Sequence, residues 1–239
     1  MTRWSASLVA AVVGLAVLQG SASAQTTGVI ARTGASERWV FTADGKEMGT
    51  QTAQCVAVRP GQSDWKFALD LRAPSQGRTV VVTMSGTFTI AANGAPVAMS
   101  LTADADGSKQ RATYTFAGKK ATARITVGGQ NVSRGAALSG SETLQLNNVI
   151  TLMSFTTQAV RPQAGKVSTA SIFAAGALQT MKLTLTAQPK TETITVAGKR
   201  VECVVVDAAP IANRFWCDAG TGELLKVAAP AQALVIERR

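Results

Sequence analysis

Histidine is absent from the sequence of 239 residues. Because histidine is the commonest general base, the usual partner of serine and cysteine nucleophiles and a frequent zinc ligand, its absence disfavours most enzymes and zinc proteins of those kinds. Aromatic residues make up only 5% of the chain. An outer-membrane β-barrel, which carries two girdles of aromatic residues, is therefore a weaker alternative.

Two short motifs match parts of known sites but lack the residues that would complete them. Ser63 and Lys66 have the Ser-x-x-Lys spacing of penicillin-recognising enzymes, whose Ser-Asp-Asn and Lys-Thr-Gly companions are missing. Asp104 to Gly107 matches the start of a calcium loop without its third ligand or closing glutamate, so we interpret it as a hairpin turn. We predict no catalytic residue, no metal site and no cofactor.

The N-terminus has the three parts of a secretion signal. Arg3 is followed by an apolar run from Leu8 to Leu18 and by the small residues Ser21 to Ala24. The run is about half the length of the roughly 20 residues that a membrane-spanning helix needs. We therefore predict a signal peptide over residues 1–24, cleaved near Ala24, and a periplasmic protein that does not span the membrane.

The net charge of +10 is dispersed along the chain, and the longest basic runs are pairs such as Lys119-Lys120 and Arg238-Arg239. Nucleic-acid binding usually shows a clustered basic stripe or a reading motif, so we predict no nucleic-acid partner. A basic field favours encounter with anionic surfaces. Anionic lipid headgroups or another polyanionic component of the envelope are the better candidates.

Short strands closed by turn signals fill most of the chain. Asp44-Gly45, Asn93-Gly94 and Asp106-Gly107 are typical of tight hairpins. Between Thr79 and Ala91 the even positions are mostly apolar and the odd positions mostly Thr and Ser, which is the alternation of a strand with one buried face. We predict one antiparallel β domain over residues 25–239, an open or half β-barrel of many short hairpin-linked strands.

One segment follows a helical period instead. Leu146, Val149, Ile150 and Met153 recur at helical spacing, which predicts one amphipathic helix over about 144–159, after a glycine-rich connection at 128–140. The helix is either a lid over a cavity or a helix packed on the apolar face of the sheet. As a lid it would contact a ligand through the candidate residues Leu152, Met153 and Phe155.

Three cysteines remain after the predicted cleavage. Cys203 and Cys217 flank a turn centred near Pro210, so as hairpin partners they would face each other, and we expect a disulfide in an oxidising compartment. Two buried thiols are the alternative. Cys55 has no cationic neighbours in the sequence, and we interpret it as structural.

Two stretches carry a family resemblance: the segment from Glu37 to Gly49, and the C-terminal part from Glu192, which includes Arg214 to Asp218 and Thr221 to Lys226. They resemble exported Gram-negative families of unknown function whose half-barrel fold is similar to the lipoprotein-localisation factors. The resemblance implies an open antiparallel sheet around a helical element. It also implies a concave apolar surface that can hold an acyl chain.

These observations favour a periplasmic binding or carrier module for a hydrophobic or lipid-like ligand. A structural or interaction protein of the envelope, with a filled core and no catalysis, is the alternative. A histidine-free enzyme that works through carboxylates such as Asp70, Glu142 or Glu202 is the least favoured.

Overall fold

The computed structural model describes residues 31–75, 78–146 and 148–239. The predicted signal peptide lies outside these residues. Most of the described chain is β-strand, and one α-helix, α1, spans Ile150–Val160. The strands, in chain order, are β1 Ser36–Ala43, β2 Lys46–Arg59, β3 Gln62–Ser75, β4 Arg78–Ala91, β5 Pro96–Ala105, β6 Ser108–Ala117, β7 Lys120–Val127, β8 Gln130–Ala137, β9 Thr143–Gln145, β10 Val167–Ala174, β11 Gln179–Val196, β12 Lys199–Ala209, β13 Asn213–Asp218, β14 Leu224–Ala229 and β15 Leu234–Arg238.

All of these strands belong to one sheet, in the order β8-β7-β6-β5-β4-β3-β2-β1-β15-β14-β13-β12-β11-β10-β9. Strand β1 lies in the middle, and consecutive hairpins lead from it to the edge at β8. The chain then crosses to the opposite edge at β9 and returns to β15, which pairs with β1. Among the strands of the described residues, only the β9–β10 pair is parallel. The sheet is not closed, so the predicted open half-barrel of hairpin-linked strands is confirmed.

Local turn chemistry explains the hairpins. Asp44-Gly45, Asp106-Gly107 and Ala197-Gly198 have positive φ at both residues, which is the requirement of a type I′ turn. Gly128-Gly129 meets the same requirement between β7 and β8. This turn type matches the twist of the flanking strands and therefore sets the register of each hairpin.

Side-chain alternation gives the sheet a buried inner face. Phe88 and Ile90 of β4 are each 1% exposed, while Val80 and Val82 on the same face are half-buried. The buried residues form two inner clusters. The first gathers side chains mainly from β2 to β7 around Trp65 and Phe88, and the second gathers side chains mainly from β10 to β15 around Phe215.

The structure corrects the predicted helix in two ways. The helix begins at Ile150 and not near residue 144, because Leu144 and Gln145 lie in β9 and pair with β10. In addition, α1 has no solvent-exposed face between its ends, since every residue from Thr151 to Ala159 is buried. The glycine-rich connection predicted over 128–140 is also wrong in part, because β8 lies within it and pairs with β7 along its whole length.

The backbones of β4 and β5 approach each other closely at Gly86. A Cβ atom at this position would lie 2.1 Å from the carbonyl oxygen of Ser100 and 3.0 Å from the ring of Phe67. No side chain fits at those distances, so the position requires glycine. Glycine inside a strand often marks a site where another backbone approaches closely.

Candidate functional site

The helix α1 fills the interior between the two inner clusters. The Phe155 ring meets the rings of Trp65 and Phe88 edge to face, with centroids 5.1 Å and 5.8 Å apart. Leu152 joins the same first cluster, whereas Met153 packs in the second. All three lid candidates therefore lie in the core. Their predicted contact with a ligand stays a prediction.

A buried hydrogen-bond network fixes the N-terminal end of α1. The backbone N–H of Ile150 donates to Gln51 Oε1 over 2.6 Å, and Gln51 Nε2 donates to Thr151 Oγ1 over 2.8 Å. The Thr151 hydroxyl donates in turn to Glu37 Oε2 over 2.9 Å. A side chain of β2 thus satisfies a helix N–H that has no partner within the helix.

Glu37 is the buried carboxyl group of this network. Trp39 Nε1 also donates to its Oε2 atom, and the side chain of Arg238 lies nearby and is ion-paired with Glu223. Burial raises the pKa of the Glu37 carboxyl above its ordinary value, and Arg238 and the hydrogen bonds oppose the shift. Glu37 is enclosed, and its Oε2 atom accepts two hydrogen bonds, so we assign it a structural role.

The other end of α1 is anchored to the turn between β13 and β14. The Leu224 N–H donates to Ser154 Oγ over 3.2 Å, and Arg161 donates to the Gly220 carbonyl. A Cβ atom at Gly222 would lie 3.0 Å from the Thr157 carbonyl oxygen, so glycine allows the turn to lie directly against the helix. The helix is therefore fixed at both ends across the interior.

Beyond α1 the inner face of the sheet is apolar but incompletely covered. Strand register places the positions on β3 to β5 side by side, where Leu71 pairs with Val82 and Met84 with Ala103, and β6 separates them from Ile125 on β7. We call this region the open inner surface, and all of its residues are half-buried. It consists of Leu71, Val80, Val82, Met84, Ala103 and Ile125. Met84 packs against both inner clusters, so the surface continues directly into the core.

A cavity of about 350 Å³ lies along β2 to β5. It is lined by the polar residues Thr50, Thr52, Asp70, Thr83, Ser85, Thr102 and Asp104 and by the apolar residues Ala68, Leu69 and Met84. No residue of α1 borders it. Met84 belongs both to this cavity and to the open inner surface.

The predicted disulfide between Cys203 and Cys217 is wrong. Cys203 pairs with Asp218, and Cys217 pairs with Val204, one residue away from the predicted register. A shift of one residue places the two side chains on opposite faces of the sheet. Both are buried free thiols, as is Cys55. Burial raises the pKa of Cys217 to about 12 and that of Cys203 to about 11, so neither is a reactive thiolate at neutral pH.

The described residues contain no group of three or more potential metal ligands from His, Cys, Asp and Glu. Within the same part of the chain, no helix has the length and hydropathy needed to cross a membrane.

The features that sequence reasoning missed are long-range. Gln51 and Thr151 are 100 positions apart, and Glu37 is 114 positions from Thr151, so no local motif connects them. A polar residue at an inner-face position of the alternating pattern, such as Gln51, is the one available signal.

No protein-family profile matches the chain, and no curated protein matches it. The fold is similar to the crystal structure of a β-barrel-like protein of the domain of unknown function DUF1849 from Brucella abortus. The two chains are 11% identical, the match covers 85% of this chain and 94% of that chain, and the TM-score is 0.55. A DUF1089 family protein from Pseudomonas aeruginosa is also 11% identical, with 76% of this chain and 90% of that chain covered and a TM-score of 0.43.

At this identity the likeness to the DUF1849 protein shows the fold alone. It agrees with the predicted resemblance to families of unknown function with a barrel-like fold. The finer resemblance to the lipoprotein-localisation factors stays a prediction.

Proposed function

We propose that the protein is a periplasmic binding or carrier module for a hydrophobic or lipid-like ligand, which rests on the open inner surface beside α1. The observation that carries the proposal is that surface itself: five neighbouring apolar side chains of β3 to β5 remain half-buried beside a filled core, and Ile125 lies beyond β6 on the same face. Contiguous apolar surface that is left accessible to solvent commonly marks a binding site.

The buried helix supports this proposal as the floor of the site. Leu152, Met153 and Phe155 hold α1 in place, and the anchored ends keep it there without a ligand. Met84 lies where the floor meets the open surface, and a flexible thioether side chain adapts to guests of different shape. The net charge of +10 favours a ligand with an anionic headgroup.

A non-catalytic interaction protein of the envelope is the second candidate. The complete burial of α1 favours it, because a helix enclosed on all sides serves as core whether or not a ligand is present. The two candidates differ in one observable, the presence of an apolar guest.

The test compares two glutamate substitutions on opposite faces of β4. Val82→Glu places a carboxylate on the open inner surface, whereas Thr87→Glu places one on the outer face opposite Lys66. We expect Val82→Glu to weaken binding of the apolar fluorophore N-phenyl-1-naphthylamine at least about tenfold, because a carboxylate opposes contact with an apolar guest. Thr87→Glu should bind like the unmodified protein.

Native mass spectrometry with organic extraction of the protein purified from the periplasm gives the second readout. A co-purified lipid that is lost in Val82→Glu and kept in Thr87→Glu supports the carrier. An empty protein that also fails to bind the fluorophore overturns it and leaves the interaction protein.

A further inference from the structure

Strand β8 is an edge strand with an exposed backbone. It hydrogen-bonds to β7 on one side, and within the described residues no strand pairs with its other side. Seven of its eight residues are exposed. It approaches β11 across the opening of the sheet without pairing with it. Alternate N–H and C=O groups of such an edge are available to an added strand.

Two usual protections of an edge strand, proline and a β-bulge, are absent from β8. It contains no proline, and its register with β7 is uninterrupted, so no bulge twists it away. The opposite edge, β9, is only three residues long and is covered by α1. Arg134, the single charged residue of β8, pairs with buried Ala123 and so lies on the inner face.

Apolar side chains lie exposed beside this edge. Val132 of β8 is 44% exposed and Val127 of β7 is 41% exposed, and both occupy inner-face positions. An added strand with apolar residues at alternate positions would cover Val132 while its backbone pairs with β8.

The charged residues of β6 to β8 and of the turns between them have one sign. Between residues 107 and 141 the sequence contains six basic residues and no acidic one. The basic residues are Lys109, Arg111, Lys119, Lys120, Arg124 and Arg134. In the described part of the chain none of the six forms a salt bridge, in contrast to Arg59, Arg214 and Arg238 elsewhere.

We propose that β8 is a docking site for an extended acidic segment of a partner protein, which adds a strand to the open edge of the sheet. The edge backbone supplies the hydrogen bonds, Val132 supplies an apolar contact, and the unpaired cations supply the charge complementarity. A second copy of this chain is disfavoured as the occupant, because it would bring two surfaces of the same sign together.

The experiment uses a synthetic eight-residue peptide of alternating valine and glutamate, which has the length of β8. Binding to the purified protein is followed by fluorescence anisotropy, and hydrogen exchange reports on residues 130–137. We expect slower exchange in β8, weaker binding as salt screens the charges, and no binding of the valine and lysine counterpart.

Backbone methylation separates strand addition from charge attraction alone. Only alternate N–H groups of an added strand point towards β8. Placing N-methyl groups on one set of alternate residues should weaken binding at least about tenfold, and placing them on the other set should not. Equal binding by both methylated peptides would overturn strand addition.

Charge reversal locates the site. Arg124→Glu lies on the outer face, where the glutamates of the peptide lie when its valines cover Val132, and should weaken binding of the peptide about tenfold. Arg72→Glu, an exposed outer-face arginine on β3, is the matched control and should leave binding unchanged. Equal losses in the two variants would overturn the assignment to β8. So would a stable dimer through β8, or binding of anionic phospholipid vesicles without binding of the peptide. Both substitutions lie on the outer face, away from the open inner surface, so the outcome is independent of lipid binding.

Discussion

The interior around α1 and the edge at β8 differ in how far their polar groups are hydrogen-bonded within the chain. Around α1 each polar side chain of the described network has a partner, and no described buried side-chain nitrogen or oxygen lacks a hydrogen bond. At β8 one row of backbone groups and several cations have no partner within the described chain. The helix region therefore satisfies its polar groups internally, whereas the edge leaves backbone groups open to hydrogen bonding from outside the chain.

The largest expected effect on stability comes from a cavity created beside α1. Phe155→Ala removes a ring that contacts Trp65 and Phe88, and it should lower the free energy of unfolding by about 3–5 kcal/mol. Val132→Ala at the edge should change it by less than about 0.5 kcal/mol, because that side chain is 44% exposed. Urea unfolding measures both, and similar losses in the two variants would contradict the contrast.

The buried carboxyl of Glu37 should make the same region sensitive to pH. Because burial raises its pKa, the folded state binds the proton more tightly than the unfolded state does. This contribution to stability is therefore present at low pH and is lost as the pH rises through the pKa of the folded state. Urea unfolding from about pH 4 to about pH 8 should show Glu37→Gln gaining stability relative to the unmodified protein as pH rises. A constant difference would refute this role of Glu37.

The last prediction compares the accessibility of thiols in the interior and at the edge, and it involves the smallest change in stability. All three cysteines are buried and free, so iodoacetamide should label none of them rapidly in the folded protein and all three in the unreduced, unfolded protein. Ser133→Cys in β8 adds an exposed thiol that should react at once. Mass spectrometry counts the labels, and a single label after unfolding would show that Cys203 and Cys217 form a disulfide after all.

The sequence allowed the hairpins and the inner face to be predicted because both are local. Turns such as Asp44-Gly45 determine their own geometry, and the alternation along β4 shows which face is buried. The structure places Phe88 and Ile90 in the core as that pattern predicts.

The errors arose where distant strands decide the local structure. Leu144 fits a helical period, yet pairing with β10 makes it a strand. β8 contains little that indicates a strand, but β7 provides a partner along its whole length. The cysteine hairpin was correct in outline and wrong by one residue, which was enough to reverse the faces of the thiols. The open inner surface depends on where α1 ends, so periodicity alone could not locate it.

The close approach at Gly86 has an evolutionary consequence. Since a single methyl group there would collide with the backbone of β5, we expect Gly86 and the spacing of β4 and β5 to be inherited unchanged while residues such as Val82 vary. Descendants of this protein would then alter the inner face by exchanging side chains on an unchanged backbone.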